Sequence, residues 1–208
     1  MKLVDAVKPK LEAQGVSVGP QLRFEPVPAD ARELLRFAGE PIALQVRLLS
    51  KYSNNVVAEQ LTKSLGADRF GAPGSWEKGV RALAEHVVSV GAASPGNVIA
   101  DGSGLSPRNR VSSATLAALI RASARSFSYG PEFLAALPLG GRDGTLETRM
   151  RDLDATVRAK TGHLQRVASL AGVVPNSAGQ PLIFVLLVNG ARGSSLDVDA
   201  AIDAFVAE

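Results

Sequence analysis

Three short stretches of this 208-residue chain hold side chains whose types and spacing could do chemistry together. The first is Lys160-Thr161-Gly162, at the start of a β-branched and apolar region. On an edge strand, a lysine ammonium and the adjacent threonine hydroxyl can reach one carboxylate, and a following glycine leaves room for substrate backbone to pair against the strand. That is a clamp for a free C-terminus, although the triplet arises by chance in roughly a few per cent of chains this long. The second is Ser53-x-Asn55, a hydroxyl and an amide in a polar break between two apolar patterns. Such a triplet is expected in about half of chains of this length, and alone it reads equally as a helix-capping turn. Held at a turn between two buried helices, the pair would be rigid enough for a proton relay and an amide donor. The third is Ser75-Trp76-Glu77-Lys78, the one literal S-x-x-K in the chain. A serine nucleophile activated by a lysine one helical turn later needs that spacing. Here the serine follows both Ser53 and a Gly/Pro loop, so it reads as a helix N-cap.

The elements that must position these residues can be read from periodicity. Val4, Val7 and Leu11 suggest a short helix ending near Gly15, with Pro9 in its first turn or at a break. Ile42, Val46 and Leu49, then Val57, Leu61 and Leu65, predict a helix, a tight polar turn and a second helix. Residues 66 to 74, with three glycines and a proline, read as a loop, and Ser75 caps a helix with its face at Val80, Leu83, Val87 and Val90. Val98 to Ala100 suggests a short strand leading into the loop Asp101-Gly102-Ser103-Gly104-Leu105-Ser106. Ser112 or Ser113 caps the next helix, through Leu116, Leu119 and Ile120, and Pro131 opens another. Beyond Gly140, residues 157 to 162, 167 to 174 and 181 to 188 predict two or three antiparallel strands, with a turn over 175 to 179. Leu196, Val198, Ala201, Ile202 and Phe205 predict an amphipathic closing helix lying across the sheet. The fold class is therefore α+β, a helical cluster beside an antiparallel sheet.

Composition narrows the function. With 46% hydrophobic residues, the chain can bury a core of its own. The charge of +3 comes from 23 basic and 20 acidic residues with no run of like sign, which gives nucleic-acid binding no support. No cysteine is present, so disulfides and thiolate metal sites are excluded. The two histidines make no metal set: His86 reads as structural, and no cofactor or metal is expected. Trp76 reads as a packing residue. The longest apolar run, residues 182 to 188, is too short to span a bilayer, and residues 1 to 5 lack the apolar stretch of an export signal.

Lys51-Tyr52-Ser53-Asn54-Asn55, Asp101 to Ser106, Asp143-Gly144-Thr145-Leu146 and Arg158-Ala159-Lys160-Thr161-Gly162 resemble, in that order, stretches of the S13 D-alanyl-D-alanine carboxypeptidases. These are penicillin-binding proteins related to the serine β-lactamases. The resemblance runs from about residue 4, through residues 11 to 16, to the terminal helix. It implies a β-lactamase/transpeptidase-like α+β fold, of which residues 1–208 would be the C-terminal half of one domain with the N-terminal portion missing. It also implies an acyl-enzyme peptidase acting on peptidoglycan stems ending in D-Ala-D-Ala, inhibited by β-lactams, outside the cytoplasmic membrane. Ser53 would relay a proton to the leaving D-alanine and Asn55 would hold the acyl-side amide. Lys160 and Thr161 would grip the carboxylate, and the backbone N–H of His163, after Gly162, would face the oxyanion. Ser103 and Leu105 would wall the stem pocket. Two departures stand out: His163 replaces a small hydroxyl residue, and Pro107 stands where arginine is often found, with Arg108 beside it as a candidate to take its place. The S-x-x-K segment, expected upstream of Ser53, has no counterpart in this chain. A separate N-terminal polypeptide could supply it; alternatively, the chain is a non-catalytic remnant or stem-binding module, with an uncovered sheet edge that favours association.

Overall fold

The computed structural model describes residues 3–20, 25, 26, 28–33, 36, 38–153, 156–191 and 194–208. They fall into two units, Met1–Gly39 and Glu40–Glu208. In the first, helix α1 spans Leu3–Ala13. It ends in a left-handed Gly15, whose N–H donates to Glu12 O, while Val16 N–H returns to Leu11 O. The end matches the sequence reading, but Pro9 lies inside the helix. Proline removes one N–H from the ladder, and the helix continues past that gap to Ala13. The Val4 side chain lies outside the described residues.

The second unit starts with α2 (Ile42–Tyr52) and α3 (Asn55–Phe70), separated by the two-residue turn Ser53-Asn54. Helix α3 runs through Gly66, which the composition of residues 66–74 placed in a loop. The reason is tertiary. A Cβ on Gly66 would come within 2.5 Å of Gly79 N in α4 (Trp76–Ser89), and one on Gly79 would overlap Thr62 O. Glycine at both positions lets the two helices meet backbone to backbone. The buried stripe of α4 accordingly runs through Gly79, Ala82 and Val87, while His86 is exposed.

Val98 makes only a single antiparallel bridge, with Arg110, in place of a strand. Ser112, not Ser113, caps α5 (Ser113–Arg125) by accepting the Thr115 N–H. In α6 (Gly130–Ala136), Pro131 is the second residue, still within the first turn, where no N–H is needed. Two 3-10 turns, Gly144–Leu146 and Arg151–Leu153, lead to the sheet.

Three strands, β1 (Arg158–Leu164), β2 (Val167–Pro175) and β3 (Pro181–Asn189), form an antiparallel meander in the order β1-β2-β3. Pairing runs from Arg158↔Val173 to Leu164↔Val167, and from Val167↔Asn189 to Pro175↔Pro181. Among the described residues, no strand pairs with the outer edge of β3. Helix α7 (Ser195–Ala207) packs on the sheet through Ile202, with Val198 and Val206 beside it. Leu196 and Phe205, expected on its buried face, are 77% and 62% exposed; the apolar pattern of α7 is wider than the strip of sheet it covers. The core consists of Leu146, Val157, Ala159, Leu170 and their neighbours. No helix among the described residues is long and apolar enough to cross a membrane.

Candidate active site

The turn between α2 and α3 divides its labour. Ser53 closes α2 in the left-handed conformation (φ 54°, ψ 49°), with its N–H donating to Leu49 O. Asn54 caps α3, its Oδ1 accepting the Val57 N–H at 3.1 Å. Capping therefore falls to the middle residue of Ser-x-Asn and leaves the outer two side chains available. Ser53 Oγ accepts a hydrogen bond from Lys160 Nζ at 2.9 Å, across 107 residues of sequence. Asn55 opens α3, half-buried, and its amide has no partner among the described residues. The two helices are less buried than expected: Ile42, Val46 and Leu65, on the predicted apolar faces, are 64%, 37% and 39% exposed.

Strand alternation sends Lys160 and Thr161 to opposite faces of β1. Lys160 points toward Ser53 and also donates to Thr161 O at 2.6 Å. Burial lowers the proton affinity of its amine below that of an ordinary lysine. No carboxylate forms an ion pair with it among the described residues. Thr161 is 8% exposed, and its hydroxyl donates to Thr145 Oγ1 at 2.8 Å. Reversing this bond, so that Thr145 donates to Thr161, would free the Thr161 O–H for an anion. Gly162 has a local reason to be glycine: a Cβ there would meet the Ser169 hydroxyl on β2 at 2.5 Å.

The edge of β1 away from β2 is partly used. Ala159 N–H donates to Pro138 O, and Gly140 N–H to Val157 O. By strand alternation the N–H groups of Thr161 and His163 point off this same edge. The His163 side chain turns toward α7, where Nε2 lies 2.8 Å from Asp199 Oδ1. Asp199 also pairs with Arg149, which holds Asp203. The bulkier residue is thus accommodated by the helix on the sheet.

The Asp101–Ser106 loop is wound around one carboxylate. Asp101 accepts the N–H groups of Gly104 and Ser106 and the Asn109 amide. Burial pushes the Asp101 carboxyl up, but the hydrogen bonds from Asn109, Gly104, Ser106 and the Ser103 hydroxyl outweigh it and hold the group below the usual carboxylate range. Glu59 ties the loop to α3 by accepting the Ser103 N–H at 2.9 Å. Glu59 lies one turn after Asn55, so Ser103 is held near the Ser-x-Asn end of α3. Its other oxygen, Oε2, is buried without a partner among the described residues. Leu105 is 51% exposed. Arg108 is exposed, with its guanidinium bonded to none of these groups.

Sequence reasoning missed Glu59, Thr145 as a partner of Thr161, and the ion pair that seats α2. Lys51, 6% exposed, donates to Asp143 Oδ1 and Oδ2 at 2.8 and 2.7 Å and to Leu137 O at 2.6 Å. Burial again works to raise the Asp143 carboxyl. The Lys51 hydrogen bond, the Leu139 N–H and the charges of Lys51 and Arg47 hold it low. The Ser75 reading stands: its Oγ accepts the Lys78 N–H at 3.2 Å, while Lys78 Nζ donates to Gly71 O and Pro73 O. No group of three His, Cys, Asp or Glu side chains suited to a metal occurs among the described residues.

The D-Ala-D-Ala carboxypeptidase 3 (S13) family matches residues 2–208. A D-alanyl-D-alanine carboxypeptidase of Actinomadura sp. (strain R39) is 36% identical over 209 residues, 95% of this chain and 38% of the relative. Carboxypeptidase DacB of Mycolicibacterium smegmatis is 35% identical over 80% of this chain and 37% of its own length. Penicillin binding protein 4 of Haemophilus influenzae, solved in complex with a β-lactam, superposes with a TM-score of 0.81 at 26% identity, over 93% of this chain and 45% of that one. A variant of an ancestral class A β-lactamase shares the fold, with a TM-score of 0.54 at 20% identity over 81% of this chain and 66% of that one. The chain thus spans well under half the length of the curated relatives it matches.

Proposed function

The chain belongs to the D-Ala-D-Ala carboxypeptidase 3 (S13) family, and on that premise we propose that it forms the substrate-gripping and proton-handling side of a serine-type D-alanyl-D-alanine carboxypeptidase or endopeptidase. Its substrate is a peptidoglycan stem peptide ending in D-Ala-D-Ala, met outside the cytoplasmic membrane, and β-lactams are its covalent mimics. The observation that carries this reading is the 2.9 Å contact from Lys160 Nζ to Ser53 Oγ.

When the Lys160 ammonium donates to Ser53 Oγ, the serine's own proton is left pointing elsewhere, and the leaving D-alanine amine is where it is needed. Lowered proton affinity at Lys160 makes the ammonium a ready source to reprotonate Ser53. Thr161 takes the terminal carboxylate with its own O–H, freed when Thr145 donates to it, and the Lys160 charge attracts that carboxylate from the Ser53 side of the strand. The free amide of Asn55 holds the acyl-side peptide bond. The His163 N–H stabilises the tetrahedral oxyanion with a donor whose side chain is occupied elsewhere. Ser103, Leu105 and Arg108 border the stem.

Residues 1–208 are, on this reading, the C-terminal half of one transpeptidase-like domain. The nucleophile comes from a segment outside this chain, contiguous or separate. Two apolar features suit such a segment. A groove of about 490 Å³ is lined by Ile42, Val46, Leu49, Leu61, Leu65 and Leu83. The outer edge of β3 carries exposed Leu182 and Leu187.

A second reading, a stem-binding module without hydrolysis, is favoured by the engaged state of Ser75 and Lys78. One set of measurements separates the two. With labelled penicillin, this chain alone should give no covalent band, and the chain combined with an in-frame or adjacent upstream polypeptide carrying S-x-x-K should give one. An acyl-D-Ala-D-Ala peptide should perturb the amide signals of Asn55 and Lys160 in this chain, and Lys160→Ala should abolish the effect. A band on the chain alone that disappears in Ser75→Ala would overturn the assignment, as would an absence of any peptide-induced shift.

A further inference from the structure

Three side-chain contacts close a circuit around the proposed site. Lys160 on β1 reaches Ser53 at the end of α2 at 2.9 Å. Two residues earlier on α2, Lys51 holds Asp143 through both carboxylate oxygens at 2.8 and 2.7 Å. Two residues beyond Asp143, Thr145 accepts the hydroxyl of Thr161, the neighbour of Lys160, at 2.8 Å. Asp143 is itself fixed, accepting the Leu139 N–H at 2.8 Å. Gly144, in the left-handed region at φ 58°, lets the turn lie directly on the Lys51 carbonyl, where any Cβ would overlap the oxygen.

We propose that Lys51 and Asp143 are positioning residues that set the separation of Ser53 and Lys160, with Thr145 fixing the direction of the Thr161 hydroxyl. The proposal rests on the reading of Ser53 and Lys160 as the proton-handling pair. Neither Lys51 nor Asp143 touches the reacting atoms; both act through the elements they join.

Among the described residues, little besides this ion pair holds the end of α2. A helix end frays unless something ties it, and this end must place a left-handed serine within hydrogen-bond reach of another element. Packing alone gives weak purchase, because Leu44, Leu48 and Tyr52 on α2 are 37%, 47% and 67% exposed. Lys51 is the buried residue of α2. A lysine is almost never buried unless paired, and an apolar side chain would fill the same space without the cost of desolvating an ammonium. What the ammonium adds is direction: three acceptors on two residues fix the rotation and the axial position of the last turn of α2. A helix rotated or shifted there would break the Lys51 contacts and the Ser53 contact together.

The reporter is the Lys160 amine of this chain, followed by trace acetylation against pH with peptide mass spectrometry. Lys160 should acetylate with a midpoint below that of solvent-exposed lysines. In Lys51→Met the midpoint should move up toward theirs as the Ser53 turn loosens and water reaches Lys160. Asp143→Asn, which keeps the shape and part of the hydrogen bonding, should move it less and answers the question if Lys51→Met does not fold. Thr145→Val, which leaves the Thr161 hydroxyl without a fixed direction, should leave the midpoint in place while reducing the amide shift that an acyl-D-Ala-D-Ala peptide causes at Thr161. Val87→Ala in α4 controls for general destabilisation and should leave both readouts alone. A folded Lys51→Met or Asp143→Asn with an unchanged Lys160 profile overturns the proposal, as does an equal shift in Val87→Ala. No β-lactam is used, so a failed penicillin experiment and a failed positioning experiment are separate results.

Discussion

The sheet side and the helical side of residues 40–208 bury their apolar residues to very different degrees. Around the sheet, Leu146, Val157 and Leu170 are 0% exposed, and the strand bearing Lys160 is held on one edge by β2 and on part of the other by residues 138 to 140. Across α2 and the start of α3, Ile42, Leu48 and Val56 stand open to 64%, 47% and 71%. The proposed site draws Lys160, Thr161 and His163 from the first region and Ser53 and Asn55 from the second. The binding strand is thus set by packing, whereas the Ser-x-Asn turn is set by a few polar contacts on a helix whose apolar face is largely uncovered.

Leu170→Ala attacks the closed side and should have the largest effect, a loss of about 2–5 kcal/mol in urea denaturation. A cost under about 1 kcal/mol would mean that the sheet does not dominate stability. Next comes the polar anchor of the open side. Asp143→Ala should cost about 1–3 kcal/mol, less than a fully buried ion pair because the Asp143 side chain is 39% exposed. The pH dependence has a definite sign. The folded Asp143 carboxyl lies below its unfolded value, so its contribution is full above the unfolded carboxylate range and disappears as pH falls through the folded value. Asp143→Ala should flatten that acid limb in a stability–pH profile, and an unchanged limb would remove Asp143 from the account. Ser75→Ala should cost about 1 kcal/mol through the lost cap of α4, with peptide binding unaffected. Leu48→Gln, on the open face, should change stability by no more than about 0.5 kcal/mol while reducing self-association in sedimentation velocity. A large destabilisation there would erase the contrast between the two sides.

Local chemistry carried much of this architecture in the sequence. The β-branched and apolar runs around Lys160 and after Arg166 predicted two or three strands, of which three form, and the polar break at residues 53 to 55 marked a helix turn correctly. The cap at Ser75 was legible because an N-cap acts within three residues, whereas the pair Ser112 and Ser113 left the next cap open by one residue and Ser194, the cap of α7, was not read. What escaped notice was tertiary. Gly66 looks like a loop residue until another helix carrying Gly79 lies against it. Lys51 and Asp143 look like ordinary surface charges until 92 residues of chain bring them together. Thr145 and Glu59 carry no signal of their own, since a hydroxyl or carboxylate becomes informative only when its partner is known. The apolar face of α7 was overdrawn at Leu196 and Phe205 because periodicity records which residues share a side and says nothing of the width of the surface opposite.

The left-handed backbone of Ser53 sets stability against chemistry at a single position. Glycine adopts φ near 54° without the strain of a Cβ, and Ser53→Gly should raise stability by roughly 0.5–1 kcal/mol. The same change removes the oxygen that receives Lys160. A library of variants screened for thermal tolerance would accumulate glycine at this turn and discard the proposed proton relay, whereas one screened for penicillin reactivity in combination with the S-x-x-K polypeptide would hold serine in the less comfortable conformation.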